Sequence, residues 1–413
     1  MRSQPSISDH RLALRYVRSL LLLVGLGVGI GCADQPSVVD QPDLDLPAGI
    51  SESEYRRAQS QFVEQNQREP ERADIFALLG NQALAEQRFE TALVSYHAIP
   101  TSHPTYGAST RLMEGQVLLK LHRASEAEQC LREFFSVVEQ GNTTSVQDII
   151  TAYKSLAYLH SVQLRLEDRK PVLLAAHAGG LADILDSKQL YFPHLLLWHT
   201  ANGRGRLEEF LEETPSDFQL QLANARYQTM QGELDSALPN LERLLAEHPD
   251  SREALAAILV CYYERNDWDS FSTLVDRFPE FDENEPWSLM HMRAEWAFHN
   301  EQWEDAQRYY EALLQADPAH PAAHMGMARV WKELGQEDKQ REELNDAAVL
   351  AKLRVNMVNV DGQNAETAAE VAKACREIGY AEAAVAFDRH AKRISQTNSQ
   401  QSTIDQPSTS PDR

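Results

Sequence analysis

The chain is 413 residues long, 43% hydrophobic and 24% charged, so most of it can bury a core and fold. A formal net charge of −23 argues against a nucleic-acid backbone or an anionic lipid surface as main partner. It fits a basic or neutral partner, or serves solubility alone.

The first residues read as a targeting segment. Arg11, Arg15 and Arg18 precede an apolar run from Leu20 to Ile30. That run is too short for a bilayer, which needs about 20 residues, and fits the apolar stretch of a signal peptide. Gly31-Cys32-Ala33 follows, and a cysteine just past such a run resembles a bacterial lipoprotein signal. Ile30 and Gly31 match the lipobox, while Gly29 stands where leucine is usual. The resemblance implies that residues 1–31 are removed and Cys32 is acylated, leaving a chain at −26. Simple cleavage and an uncleaved anchor are the alternatives. Ala33 resembles the default outer-membrane sorting signal of a diderm envelope. Residues 32–50 hold three prolines and four aspartates, and read as a solvated, disordered tether.

Helical periodicity begins at Glu52. Glu52–Asn66 carries Ala58 and Phe62 on one stripe, and reads as an N-terminal cap. Units at 73–104 and 108–139 complete a first group over 51–140. The register is lost over 141–215, which we assign to degenerate helical repeats. There Asp148–Leu166 and Pro171–Leu185 read as helices, and Ala178-Gly179-Gly180 as a close backbone approach inside the second. Tyr191-Phe192-Pro193-His194 opens a short helix to His199, and Gly203 and Gly205 predict a loop. Regular units resume over 216–394, at about 217–249, 252–283, 287–318 and 321–352. A last pair covers 364–378 and 380–394. Residues 395–413, nearly without apolar side chains, are expected to be disordered.

One position recurs through these units. It holds Ala58, Ala92 and Ala127, then Ala237, Phe271 and Ala306, at steps of 34 or 35. Phe89, Leu234, Trp268 and Trp303 stand three residues earlier, and Pro70, Pro104, Pro249 and Pro318 close helices in step. A period of 34 with helix–turn–helix content predicts an all-α repeat array of about nine or ten helix pairs, because no single pair can bury its own apolar face. Around Gly80 the chain reads Phe76, Leu79, Gly80, Phe89, Ala92, Tyr96 and Pro104, with Ala83 where a tyrosine is usual. This resembles the tetratricopeptide repeat (TPR) family. The resemblance implies a right-handed solenoid whose first helices line a concave groove for a partner peptide. The groove candidates are Asn81, Gln116, Arg226, Tyr263, His291, Glu295, His299, Arg329 and Lys332. Asn81 matches the asparagine that many peptide-binding members aim at a ligand backbone. Ala77 stands where the carboxylate-clamp subclass carries lysine, which implies a ligand other than a chaperone C-terminus.

Searching for nucleophile elbows, phosphate loops, paired metal cysteines and zinc-protease helices finds none, so no catalytic residue, metal or cofactor is assigned. Cys130, Cys261 and Cys375 read as buried small hydrophobes, one to a unit. His320 and His324 share the i, i+4 spacing of a metal pair, but Pro321 intervenes and no third ligand follows at ligand spacing. Trp268, Trp296, Trp303 and Trp331 read as core; if exposed, Trp268 and Trp303 would offer a glycan platform. The expected function is a non-enzymatic adaptor or scaffold of the bacterial cell envelope. It would bind a protein or peptide, hold no nucleic acid, and be lipid-anchored on the periplasmic side. The alternatives are a periplasmic or secreted glycan binder, or an enzyme whose site lies among His177, His194 and His199.

Overall fold

The computed structural model describes residues 73–194, 201–360 and 362–404. Cys32, the tether, the Glu52–Asn66 helix and His199 lie outside the described residues. Among these there are eighteen α-helices, two 3₁₀ turns and no strand. Sixteen of the helices form eight pairs. The first three are α1 (Ala73–Ala85) with α2 (Phe89–His97), α3 (Gly107–Lys120) with α4 (Ala124–Glu139), and α5 (Val146–Val162) with α6 (Leu166–Ala178). Two single helices follow, α7 (Ile184–Tyr191) and α8 (Ala201–Glu213). Next come α9 (Phe218–Met230) with α10 (Leu234–Glu247), and α11 (Arg252–Glu264) with the short α12 (Trp268–Ser272). The last three are α13 (Trp287–His299) with α14 (Trp303–Ala316), α15 (Pro321–Glu333) with α16 (Glu337–Asn356), and α17 (Ala365–Glu377) with α18 (Ala381–Ile404).

The same turn joins the helices of every pair. Two residues before each second helix the backbone is left-handed, at Gln87, His122, Leu164, Gly232, Asn266, Glu301, Gly335 and Gly379. Each of these residues donates its N–H to the carbonyl three back. The next N–H reaches five back, as in Arg88 to Ala83 (2.8 Å) and Gln302 to Ala297 (2.9 Å). This is a Schellman turn, which satisfies the last carbonyls of one helix and reverses the chain in three residues. Beyond it the crossing residues Ala92, Ala127, Ala237, Phe271 and Ala306 are fully buried. The helix-pair architecture of the sequence reading therefore stands, and α5–α6 extends it into the stretch where the period is lost.

Several local boundaries differ from expectation. The second helix of the third pair begins at Leu166 rather than at Pro171, because the turn at Leu164 dictates its start and the proline removes only one bond further in. It stops at Ala178, and Gly180 (φ +70), where a Cβ would meet nothing, turns the chain and does not mark a close approach. Asp183 then opens α7 through a capping box with Asp186. Gly203 and Gly205 lie inside α8, where burial of Leu207 and Phe210 outweighs about 1 kcal/mol per helical glycine. The last helix runs to Ile404, past Ser395, because extending a formed helix costs far less than nucleating one.

The chain forms two compact units. One comprises residues 73–180 and 205–221, the other 181–204 and 222 onward. In the first, Arg111 pairs with Glu114 (2.6 Å) while its guanidinium reaches the carbonyls of Tyr96 and Ile99 at the end of α2. Burial pushes the Glu114 carboxyl up to about 7 although Arg111 pulls the other way. Residues 205–221 return onto this unit through His122 with Glu209 (3.5 Å) and Ser125 with Asp217. In the second unit, α7 and the residues after it pack on the last repeats. Ser187 bonds His390 (2.6 Å), Lys188 donates to the Val360 carbonyl (2.9 Å), and Phe192 packs on Phe387 and Tyr380.

Candidate functional site

The second unit holds an open cleft of about 560 Å³, lined by the first helices of three successive repeats and by the turns that follow two of them. Its geometry starts with α11, capped by Ser251 and ended by the turn at Asn266, a residue type that tolerates φ > 0. The helix that follows, α12, lasts five residues. Ser272 and Thr273 donate their hydroxyls to the carbonyls of Asp269 and Ser270 (2.7 Å each), and Pro279 follows, so the expected second helix of 252–283 is cut short. The linker is instead fixed to α13 by a buried bidentate pair, Arg293 with Glu285 (2.7 and 3.0 Å), with Arg293 also over Phe278. Burial pushes the Glu285 carboxyl up, with Arg293 opposing.

At the base of the cleft stands Glu295, 3% exposed. It accepts the Tyr310 hydroxyl (2.6 Å) and meets Arg329, which also donates to that hydroxyl (3.1 Å). His291 Nε2 lies 3.4 Å away. Burial disfavours the Glu295 carboxylate, but His291, Arg329 and Tyr310 outweigh it and hold the group at about 2. The Tyr310 ring packs where Gly326 has no side chain; a Cβ there would come within 2.2 Å of it. The walls are aromatic. Trp268 stacks on His299 at 4.0 Å, Phe298 meets Trp303 edge-on at 5.1 Å, and Arg329 lies over Phe298 at 4.6 Å. Glu264, Asn266 and Glu301 form the exposed rim.

Of the nine groove candidates, Tyr263, Glu295, His299 and Arg329 line this cleft, with His291 directly behind Glu295. Arg226 sits elsewhere on the unit against the Glu253 carbonyl (3.4 Å), and Lys332 is exposed outside the cleft. Asn81 and Gln116 belong to the other unit. Asn81 already accepts the Tyr96 hydroxyl (2.8 Å), the same contact that Tyr310 makes to Glu295. Sequence reasoning missed Glu264, Asn266, Phe298 and Glu301. A usable signal existed, since Asn266 and Glu301 each stand two residues before a tryptophan anchor. It also placed Trp268, Trp296 and Trp303 in the core, where they are only half-buried; Trp331 is buried.

Beside the cleft the chain fills its own repeats. His194 bonds Asp317 (2.6 Å) and lies 4.1 Å, ring to ring, from the buried His320, which caps α15. Burial and the flanking His194, His291 and His324 push the His320 imidazole well below its ordinary range. His324 turns to Glu343 (2.7 Å) and the Pro318 carbonyl, so His320 and His324 hold separate structural roles. Among the described residues no three histidines, cysteines or carboxylates converge as metal ligands.

Residues 228–291 and 297–351 match the tetratricopeptide repeat family. The array around the cleft is made of tetratricopeptide repeats. A curated relative, cellulose synthase operon protein C of Xanthomonas axonopodis pv. citri, is 24% identical over 257 residues, 61% of this chain. The chain spans only 16% of that protein's length. Solved structures also match, two of them as follows. A tetratricopeptide repeat protein of Parabacteroides merdae is 12% identical, covering 63% of this chain and 99% of its own, with a TM-score of 0.31. A chain of the APC/C hetero-tetramer Cut9–Hcn1 is 14% identical, covering 83% of this chain and 78% of its own, with a TM-score of 0.34.

Proposed function

We propose that this chain is a protein–protein interaction adaptor of the bacterial cell envelope, held at a membrane by a lipid on Cys32. A partner segment occupies the tetratricopeptide cleft of Tyr263, Glu295, His299 and Arg329. The observation that carries the reading is that cleft, open and lined by aromatic and charged side chains on three successive repeats. Repeats supply a rigid surface for such a segment, and tethering raises its effective concentration towards envelope partners. A second reading, glycan binding, is favoured by the half-exposed Trp268 and Trp303 and by the name of the distant Xanthomonas relative.

The test is membrane fractionation of the full chain and of Cys32→Ala in cells fed a labelled fatty acid, with a photo-crosslinking amino acid in place of Trp303. Label and membrane retention are expected in the first and lost in the second, with a protein crosslinked through position 303. Equal behaviour of the two chains would remove the lipid anchor. A crosslink to glycan and to no protein would remove the adaptor.

A further inference from the structure

The cleft has more acid than base. Three carboxylates, Glu264, Glu295 and Glu301, line it with one guanidinium, Arg329. Arg329 is committed, since it meets Glu295, donates to Tyr310 and covers Phe298. Glu295 is correspondingly neutralised. Glu264 and Glu301 remain at the exposed rim, and among the described residues neither meets a cation or a hydrogen-bond donor. Two open carboxylates above apolar walls focus a negative field, and the whole chain, at −23, adds to it.

The rings sort the possible occupants further. A sugar needs a free flat face. One face of Trp268 is covered by His299, whose ring lies 9° from parallel, and one face of Phe298 by Arg329. Tyr263 meets Trp268 edge-on, and Phe271 packs against the same indole. What the walls offer is apolar contact for an aliphatic stem, ending at carboxylates. Arginine and lysine have that build, an apolar stem with a charged head. An acidic segment would bring like charge against Glu264 and Glu301.

Resting on the adaptor reading, we propose that the occupant is a basic peptide segment of the partner, which lays an arginine or lysine stem along Trp268 and Trp303 and brings its head to Glu264 and Glu301. Recognition is then electrostatic at the rim and apolar at the walls, and weakens with salt.

Fluorescence anisotropy on the full chain tests this with two dye-labelled Gly/Ser dodecapeptides, one bearing three arginines and the other three glutamates at equal spacing. The arginine peptide is expected to bind and the glutamate peptide not. Glu264→Gln with Glu301→Gln should weaken binding about tenfold, a loss of about 1.4 kcal/mol. Removing two exposed charges of α17, by Glu366→Gln with Glu370→Gln, neither of which lines the cleft, should leave it near the original value. Equal binding of both peptides, or equal loss in both double variants, would overturn the proposal. The segment crosslinked through position 303 separates it from the reading beneath. A captured protein segment without lysine or arginine overturns the basic occupant and leaves the adaptor intact. Capture of glycan alone, with cellohexaose binding at the tryptophans, overturns both.

Discussion

Glu295 shows how a residue expected at a solvated groove becomes part of the fold. Its carboxylate is buried, yet it stays ionised because Tyr310, Arg329 and His291 surround it. With its folded value held at about 2 against an ordinary 4.5, the unfolded chain binds the extra proton between those values. The stabilisation is therefore complete above about pH 4.5 and is lost as pH falls towards 2, on the order of 3 kcal/mol in all. Urea unfolding of the original chain and of Glu295→Gln at pH 6, 4 and 3 measures it. The gap between the two is expected to close as pH falls; a constant gap would mean that Glu295 contributes nothing through its charge. Asn81 makes the equivalent contact in the other unit without a charge, its Oδ1 accepting the Tyr96 hydroxyl. The residue pattern around Gly80 singled out that position but could not show the Tyr96 hydroxyl bonded to it.

The element that repeats most faithfully is the turn. All eight turns use a left-handed residue, yet only three place glycine there. A residue with a Cβ costs roughly 1–2 kcal/mol in that conformation. Gln87, at φ 61 and exposed, is expected to give about 0.5–1 kcal/mol of stability when replaced by glycine, after the entropy glycine adds to the unfolded chain. Gly335→Ala should lose about 1 kcal/mol, although a Cβ there meets no atom, because the cost is backbone alone. Thermal unfolding of both variants checks the pair. A rise with alanine or a fall with glycine would show that the turns are not held by the Schellman geometry. The turn also explains why boundaries were displaced near Pro171. The second helix starts where the reversal ends, and proline inside it is a smaller term than the three-residue turn that precedes it.

On the scale of the molecule, the segment 181–194 carries the largest departure from chain order. It follows the third helix pair in sequence, yet it packs on the last repeats, with Ser187 and His390 in contact across 203 positions. Phe192 is fully buried there between Tyr380 and Phe387. Truncating a buried phenylalanine costs roughly 3–5 kcal/mol. Phe192→Ala is therefore expected to raise hydrogen exchange in α17 and α18 while α1 to α6 keep their protection. Loosening confined to residues 73–180 would contradict the assignment of this segment to the C-terminal repeats.

Much of this protein is settled by local pattern. The 34-residue period, the small crossing residues and the closing prolines determine helix pairs, because each records a constraint between residues one or two turns apart. The groove candidates Tyr263, His291, Glu295, His299 and Arg329 were legible for the same reason, since they recur on the inner face of first helices. Tertiary structure alone decided that these five gather while Arg226 and Lys332 stand apart, and that the rim is Glu264 and Glu301. It alone returned Phe192 and His194 to repeats more than a hundred residues away. Periodicity describes which face of a helix is apolar; it carries no address for the distant surface that buries it.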